Sequence, residues 1–304
     1  MGADRSLSAS VAVTVRRLVR GTNQAGAHGS RHARKRSQHP PPPPAGNARA
    51  ATITPVMIGR RVAREVGKLG VRRVALVLSV AVFLLPVAFV ALIPDPLTQP
   101  LGVDFSLYRD VAARWLAGGP YFEPHQLAGP YTIEAGDILY PPVALWLFIP
   151  FVVAPAVLWW AIPIGVTAWA MWRLQPRPEV WPLLALCVAW PTTLLKTWTG
   201  NPVIWSVAVM ALATLYYWPA VFVVLKTSLF PFALFGANRR SWWAALVVLV
   251  VLSLPFGSLW ADWLASVVNS RGGGPLYSSL EIPMLLLPLI AWAGRTKSAG
   301  RTTS

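Results

Sequence analysis

From Val74 to Ile93 the chain runs for 20 residues without a charge, and Ser79 is its one hydroxyl side chain. A helix of that length spans roughly 30 Å, the hydrocarbon thickness of a bilayer. The run is followed by several more of its kind, which excludes an ordinary water-soluble fold. Residues 140–174 are apolar, interrupted at Pro150 and Pro155, and divide near Pro155 into two helices. Later apolar runs cover about 181–196, 201–217, 218–236, 241–259 and 280–294. The expected fold class is therefore an all-α integral membrane protein of about eight transmembrane helices, within a range of seven to nine. Several runs are short and rich in Pro and Gly, as in broken helices that line a cavity.

Charge supports the same reading. Only 12% of residues are charged, about half the share of a typical soluble domain. Residues 1–73 hold 15 of the 27 Lys and Arg, against two acids, Asp4 and Glu65. The expected organisation is a disordered basic tail at 1–56, with the run Pro40 to Pro44 inside it, and a basic juxtamembrane segment at 57–73. A polytopic membrane domain follows at 74–294, with an extracytoplasmic loop at 94–139, and then a C-terminal tail at 295–304. The longest apolar piece of the N-terminal stretch, near Val11 to Val15, is short and followed by Arg16 and Arg17, so it does not read as a secretory signal. Met57 is an alternative natural start.

The tail lacks the interleaved aromatics of a nucleic-acid surface, so no nucleic-acid partner is expected. Its basic character instead fits retention on the cytoplasmic side and attraction to anionic lipid. The expected location is the plasma membrane, multi-pass, with both termini cytoplasmic. Eight spans put Arg239, Arg240, Arg295, Lys297 and Arg301 inside but Arg173 and Arg177 outside. Reading 140–174 as one span reverses the assignment of Arg173 and Arg177 and puts Arg239 and Arg240 outside. Cys187 is the only cysteine, which rules out intrachain disulfides, and no His, Cys or carboxylate cluster has metal-ligand spacing.

The loop 94–139 concentrates the chemistry, with six of the eleven acids. Phe105, Tyr108, Val111, Ala112, Trp115 and Leu116 recur at helical spacing from Asp104 onward and predict an interfacial helix, ended by Gly118-Gly119-Pro120. Asp104 stands where an N-cap belongs, and a catalytic role is the alternative. Tyr140-Pro141-Pro142 suits the first turn of a helix at the membrane interface. Trp115, Tyr121 and Tyr140 could stack on a sugar or anchor in the aromatic belt.

A basic N-terminus, one span, then Asp104, Phe105, Tyr108, Ala112, Ala113, Leu116, Gly119 and Tyr121, followed by Tyr140-Pro141-Pro142, is an arrangement with a known parallel. It resembles the GT-C membrane glycosyltransferases, specifically the family-87 polyprenyl-phosphate-mannose-dependent group of actinobacteria. Gly200-Asn201 resembles the Gly-Gln/Asn pair that opens a span in that family. Lys226, Pro231, Arg239 and Arg240 resemble its lysine, proline and closing basic turn. The resemblance covers about 74–260. It implies that Asp104 is the catalytic base and that Tyr108, Arg109, Tyr140, Asn201 and Lys226 bind substrate.

The implied activity is an inverting hexosyltransferase, with mannose the sugar of the resembling group. The donor would be a polyprenyl-phosphate sugar and the acceptor an extracytoplasmic glycolipid or glycan. No cofactor or metal is implied, and because the lipid phosphate is already a good leaving group, no general acid is needed to protonate it. One carboxylate then suffices as base, and a cation offsets the charge left on the phosphate. Lys226, in the middle of an expected span, is costly there and so reads as functional, with snorkelling to the interface as the bland alternative. Lys196 and Arg271 are weaker candidates for that role. Two other readings stay open: a non-catalytic membrane subunit of an envelope-biogenesis complex, with a membrane-protein partner, and a transporter or lipid flippase.

Overall fold

A computed structural model describes residues 55–92, 100–134, 136–271 and 279–296. The expectations for the tail at 1–54, for Lys297 and for Arg301 lie outside these residues. The described chain is mostly helical. Helix α1 (Pro55–Leu92) contains a stretch, Val66–Ala88, that is long and apolar enough to cross a membrane. Val77 and Leu85 on that stretch are exposed, a surface that suits lipid better than water.

A helix forms where one was expected after Asp104, as α2 (Val103–Leu116), and buries Phe105, Tyr108, Val111 and Ala112 against the protein. Leu116, expected on the same face, is exposed. Short helix α3 (Pro124–Ala128) and strand β1 (Tyr131–Thr132) follow in the loop. The expected break near Pro155 is present. A bent unit at Pro142–Val152, containing α4 (Leu145–Phe148), turns by 116° into α5 (Val157–Leu174). The run 181–196 is also broken, into α6 (Trp181–Ala189) and α7 (Pro191–Thr199), with the two legs bent by 52°. The cause is Pro191, which holds the preceding Trp190 at ψ 131°, outside the helical region. Helix α8 (Val203–Tyr216) comes next.

The run 218–236, expected as one span, is not a continuous helix. It is a 3₁₀ stretch at Trp218–Leu225, an extended residue at Lys226, a further turn at Thr227–Leu229 and a single α-turn, α9 (Phe230–Ala233). Its two ends lie side by side, since the Tyr217 ring stacks on Phe235 at 5.9 Å and the Arg239 guanidinium lies 5.0 Å over Tyr217. The segment therefore enters and leaves at the same end of the bundle, with Lys226 at its turn. Pro219 and Pro231 each stand in the first turn of their piece, where they block a continuous helix from the residues before them.

Helix α10 (Arg240–Ser253), prolonged by a turn to Phe256, bends by 95° into α11 (Leu259–Asn269). The sequence reading places no helix at 259–269. Strand β2 (Ser270–Arg271) pairs in parallel with β1, and Gln126, fully buried, donates from its amide to Ile138 O and Ser266 Oγ. The loop is thereby fastened to α11. The last helix is α12 (Ile282–Ala293). Counting each bent pair as one span gives up to four membrane-length units among the described residues, besides the shorter apolar helices Val203–Tyr216 and Ser279–Ala293.

The end of the bundle opposite the loop does not fit the eight-span orientation. Arg177 N donates to Gly294 O at 2.9 Å, Pro176 bridges to Arg295, and Trp292 packs on Phe235 at 5.4 Å. Arg177 and Arg295 are thus neighbours, and the Tyr217–Phe235 contact brings Arg239 to the same end. The eight-span count puts Arg177 and Arg295 on opposite sides.

Candidate functional site

The site begins where the start of α2 meets the end of α7. Gly102, not Asp104, is the N-cap residue of α2, with φ 74°. Its N–H donates to Trp198 O at 3.0 Å. Gly200, with φ 72°, closes α7 in the same left-handed conformation. The indole N–H groups of Trp159 and Trp160, on α5, donate to Gly200 O at 2.7 Å and Thr197 O at 2.8 Å. A Cβ at Gly200 would lie 2.8 Å from Trp160 Cζ2 and 2.9 Å from Phe105 Cβ. Only glycine fits this joint, on grounds of both backbone conformation and space.

The joint puts Asp104 against the loop after α7. Its Oδ2 accepts from Thr199 Oγ1 at 2.9 Å and from Asn201 Nδ2 at 2.7 Å. Asn201 is itself fixed, because its Oδ1 accepts from Val203 N at 3.1 Å. Among the described residues, Asp104 Oδ1 accepts no hydrogen bond. The N-cap reading of Asp104 therefore fails: the residue lies too far into the helix, and its carboxylate turns to another element. Asn201, implied as a substrate contact, instead has its amide engaged in orienting Asp104.

One turn along α2, the Tyr108 ring stacks on Phe148 at 4.8 Å and meets Tyr140 edge-on at 5.1 Å. Burial, followed by the nearby carboxylates of Asp104 and Glu281, pushes the Tyr108 phenol well above its usual range, so it stays a proton donor at working pH. Lys226 Nζ lies 5.5 Å over the Tyr140 ring, reaches its hydroxyl at 3.4 Å and pairs with Glu281 Oε1 at 3.0 Å. Its side chain is 14% exposed and that of Glu281 is 3% exposed. Lys226 is thus paired within the protein and does not snorkel. Lys196 and Asp104 both lie within electrostatic range of it.

Other expected residues fall elsewhere. Arg109 pairs with its neighbour Asp110 at 2.9 Å on the surface, beside the Phe105 ring, and does not join the Tyr108–Tyr140–Lys226 group. Tyr121 is buried, and its hydroxyl reaches Tyr140 O at 3.4 Å, so it supports the site wall from behind. Trp115 packs on Phe256 at 5.7 Å. The sequence reading misses Thr199 and Glu281. Glu281 has a visible signal, as the only acid after Asp262. An acid opening an apolar run reads first as a partner of the helix dipole, which hides its pairing with Lys226.

Two cavities border helices that carry the site, one along α7 and one along α2. An apolar groove of about 530 Å³ runs between α1, α5, α6, α8 and α12, with Phe83, Met171 and Leu287 among its walls. Thr193 and Thr197, which bracket Lys196 on α7, line it as well. On the loop side a charged cavity of about 430 Å³ is lined by Asp110, Arg114, Glu123, His125, Glu134 and Asp137. No protein-family model matches this chain, and neither a curated protein nor a solved structure shows detectable similarity to it.

Proposed function

We propose that the chain is an inverting membrane glycosyltransferase of GT-C type. It would move a hexose, mannose in the first instance, from a polyprenyl-phosphate carrier to an extracytoplasmic glycolipid or glycan. The observation that carries this reading is the state of Asp104: one carboxylate oxygen is pinned by Thr199 and Asn201, and the other is unengaged. A general base needs this arrangement, with a fixed direction and a free lone pair. In the reaction the acceptor hydroxyl gives its proton to Asp104 Oδ1 while its oxygen bonds to the anomeric carbon. The bond from that carbon to the phosphate oxygen breaks, and its electron pair leaves with the lipid phosphate. Lys226 and Lys196 face the charge that develops there. The apolar groove beside α7 supports a lipid-linked donor, since it offers its chain a slot that ends at the helix carrying Lys196.

The same reading includes a topology of six crossings: α1, α5, the α6–α7 pair, α8, α10 and α12. The segment 218–236 is then re-entrant, and α2, α4 and α11 lie along the interface. It is supported by the gathering of Arg177, Arg239 and Arg295 at one end, which puts these basic turns on one side, as the positive-inside rule requires. The test compares envelope glycolipids and glycans of a deletion strain complemented with wild-type protein or with Asp104→Asn at equal expression. A sugar-bearing product is expected to vanish in the deletion and to return with wild type alone. The rate of product formation should fall by about 10²–10⁴-fold in the variant. Full restoration by Asp104→Asn would refute the base assignment and favour a transporter or subunit.

A further inference from the structure

Glu281 is the least solvated acid in the site, and half of its carboxylate is unused. Oε1 holds Lys226 at 3.0 Å, whereas Oε2 is buried and has no hydrogen-bond partner. A buried carboxylate oxygen without a donor is costly. Other groups in the site also have unspent capacity. Tyr108 and Tyr140 both lie within electrostatic range of Glu281. Among the described residues, the Tyr108 hydroxyl makes no hydrogen bond and Asp104 Oδ1 accepts none. The pattern of acceptor, phenol and carboxylate beside an aromatic ring suits a ligand rich in hydroxyl donors, and a phosphate would not satisfy it.

We propose that Glu281 binds the sugar of the lipid-linked donor: Oε2 accepts a hydroxyl of the transferred hexose, while Oε1 keeps Lys226 aimed at the phosphate. Glu281 then sets preference for a sugar-bearing carrier over the bare carrier, a task separate from that of Lys226. This assignment rests on the glycosyl-transfer reading above. It also makes the two ends of the donor depend on one buried pair. The sugar engages the free oxygen, and the phosphate engages the lysine that the other oxygen positions.

The test measures equilibrium binding to the purified full-length protein in nanodiscs, read by intrinsic tryptophan fluorescence. The two probes are a polyprenyl phosphate and the same polyprenyl phosphate carrying mannose. In Glu281→Gln the ratio of affinities, mannosylated over bare, is expected to fall about tenfold, the scale of one hydrogen bond to a charged acceptor. Binding of the bare phosphate should hold or improve, because a negative charge has been removed. Since Glu281→Gln also takes the counter-ion from Lys226, the double variant Glu281→Gln/Lys226→Met is run against Lys226→Met as well, and the same narrowing of the ratio is expected. An unchanged ratio, or equal weakening of both probes, overturns the assignment and leaves Glu281 a structural partner of Lys226. If the wild type binds neither probe, the glycosyl-transfer reading itself fails and this assignment goes with it.

Discussion

Asp104 illustrates how a single side chain can satisfy two readings in sequence and only one in space. An aspartate opening an amphipathic helix is a good N-cap, but Gly102 occupies the cap and frees the carboxylate. Thr199 and Asn201 then act on catalysis only through Asp104, as positioning residues. A threonine hydroxyl has one proton to give, and its 2.9 Å contact with Asp104 is far shorter than its 3.5 Å approach to Lys196 O. Thr199→Val should therefore lower kcat about tenfold, equivalent to one lost hydrogen bond of roughly 1.4 kcal/mol, with KM for the donor unchanged. Asn201→Asp, which retains the Val203 contact but sets a second carboxylate against Asp104, should raise the pH needed for activity. Like charges at that range disfavour ionisation of the base. Steady-state kinetics across pH checks both, and a donor KM that rises with an unchanged kcat would contradict the positioning role.

Among the elements, the joint between α7 and α8 decides most about the site. It gathers the start of α2, the tryptophan pair on α5 and the Gly200-Asn201 turn within a few ångströms. Gly200→Ala adds a Cβ in a left-handed backbone and presses it against Trp160 and Phe105. The two costs together come to about 2–4 kcal/mol. Thermal unfolding of the purified variant should show Tm lowered by roughly 5–15 °C, with activity lost alongside because Asp104 is displaced. A Tm equal to wild type would mean that the joint is looser than its contacts indicate. The 218–236 element shows a different dependence. Its apolar composition alone reads as a span, yet it is broken into short turns, with Pro219 and Pro231 barring continuation from the residues before them, and its return to Tyr217 brings Lys226 up to Tyr140 and Glu281.

At the scale of the whole molecule, the two ends of the bundle have different chemistry. The loop end carries the acids, the aromatic pairs and the charged cavity, whereas Arg177, Arg239 and Arg295 collect at the other. Six crossings and eight crossings make opposite statements about Arg177. In a Cys187→Ser background, Ala128→Cys should react with a membrane-impermeant maleimide in intact cells. Arg177→Cys and Asn238→Cys should react only after permeabilisation. Labelling of residue 177 from outside would restore the eight-span count and remove the re-entrant segment.

The sequence by itself determined the helical class, the long apolar stretch of α1, the amphipathic helix after it, the break near Pro155 and the concentration of acids in one loop. Each of these follows from local composition and periodicity, which need no knowledge of neighbours. The resemblance to the GT-C glycosyltransferases singled out Asp104, Tyr108, Tyr140, Asn201 and Lys226, which converge, and Arg109, which does not. The tertiary structure alone decided what each of them touches. That Asp104 meets Thr199 and Asn201, about a hundred residues away, depends on two left-handed glycines closing around Trp160. That Glu281 is the counter-ion of Lys226 depends on the turn at Thr227–Leu229 and a helix start from distant parts of the chain. Pairing of that kind is a property of packing between elements, and periodicity along one element carries no record of it.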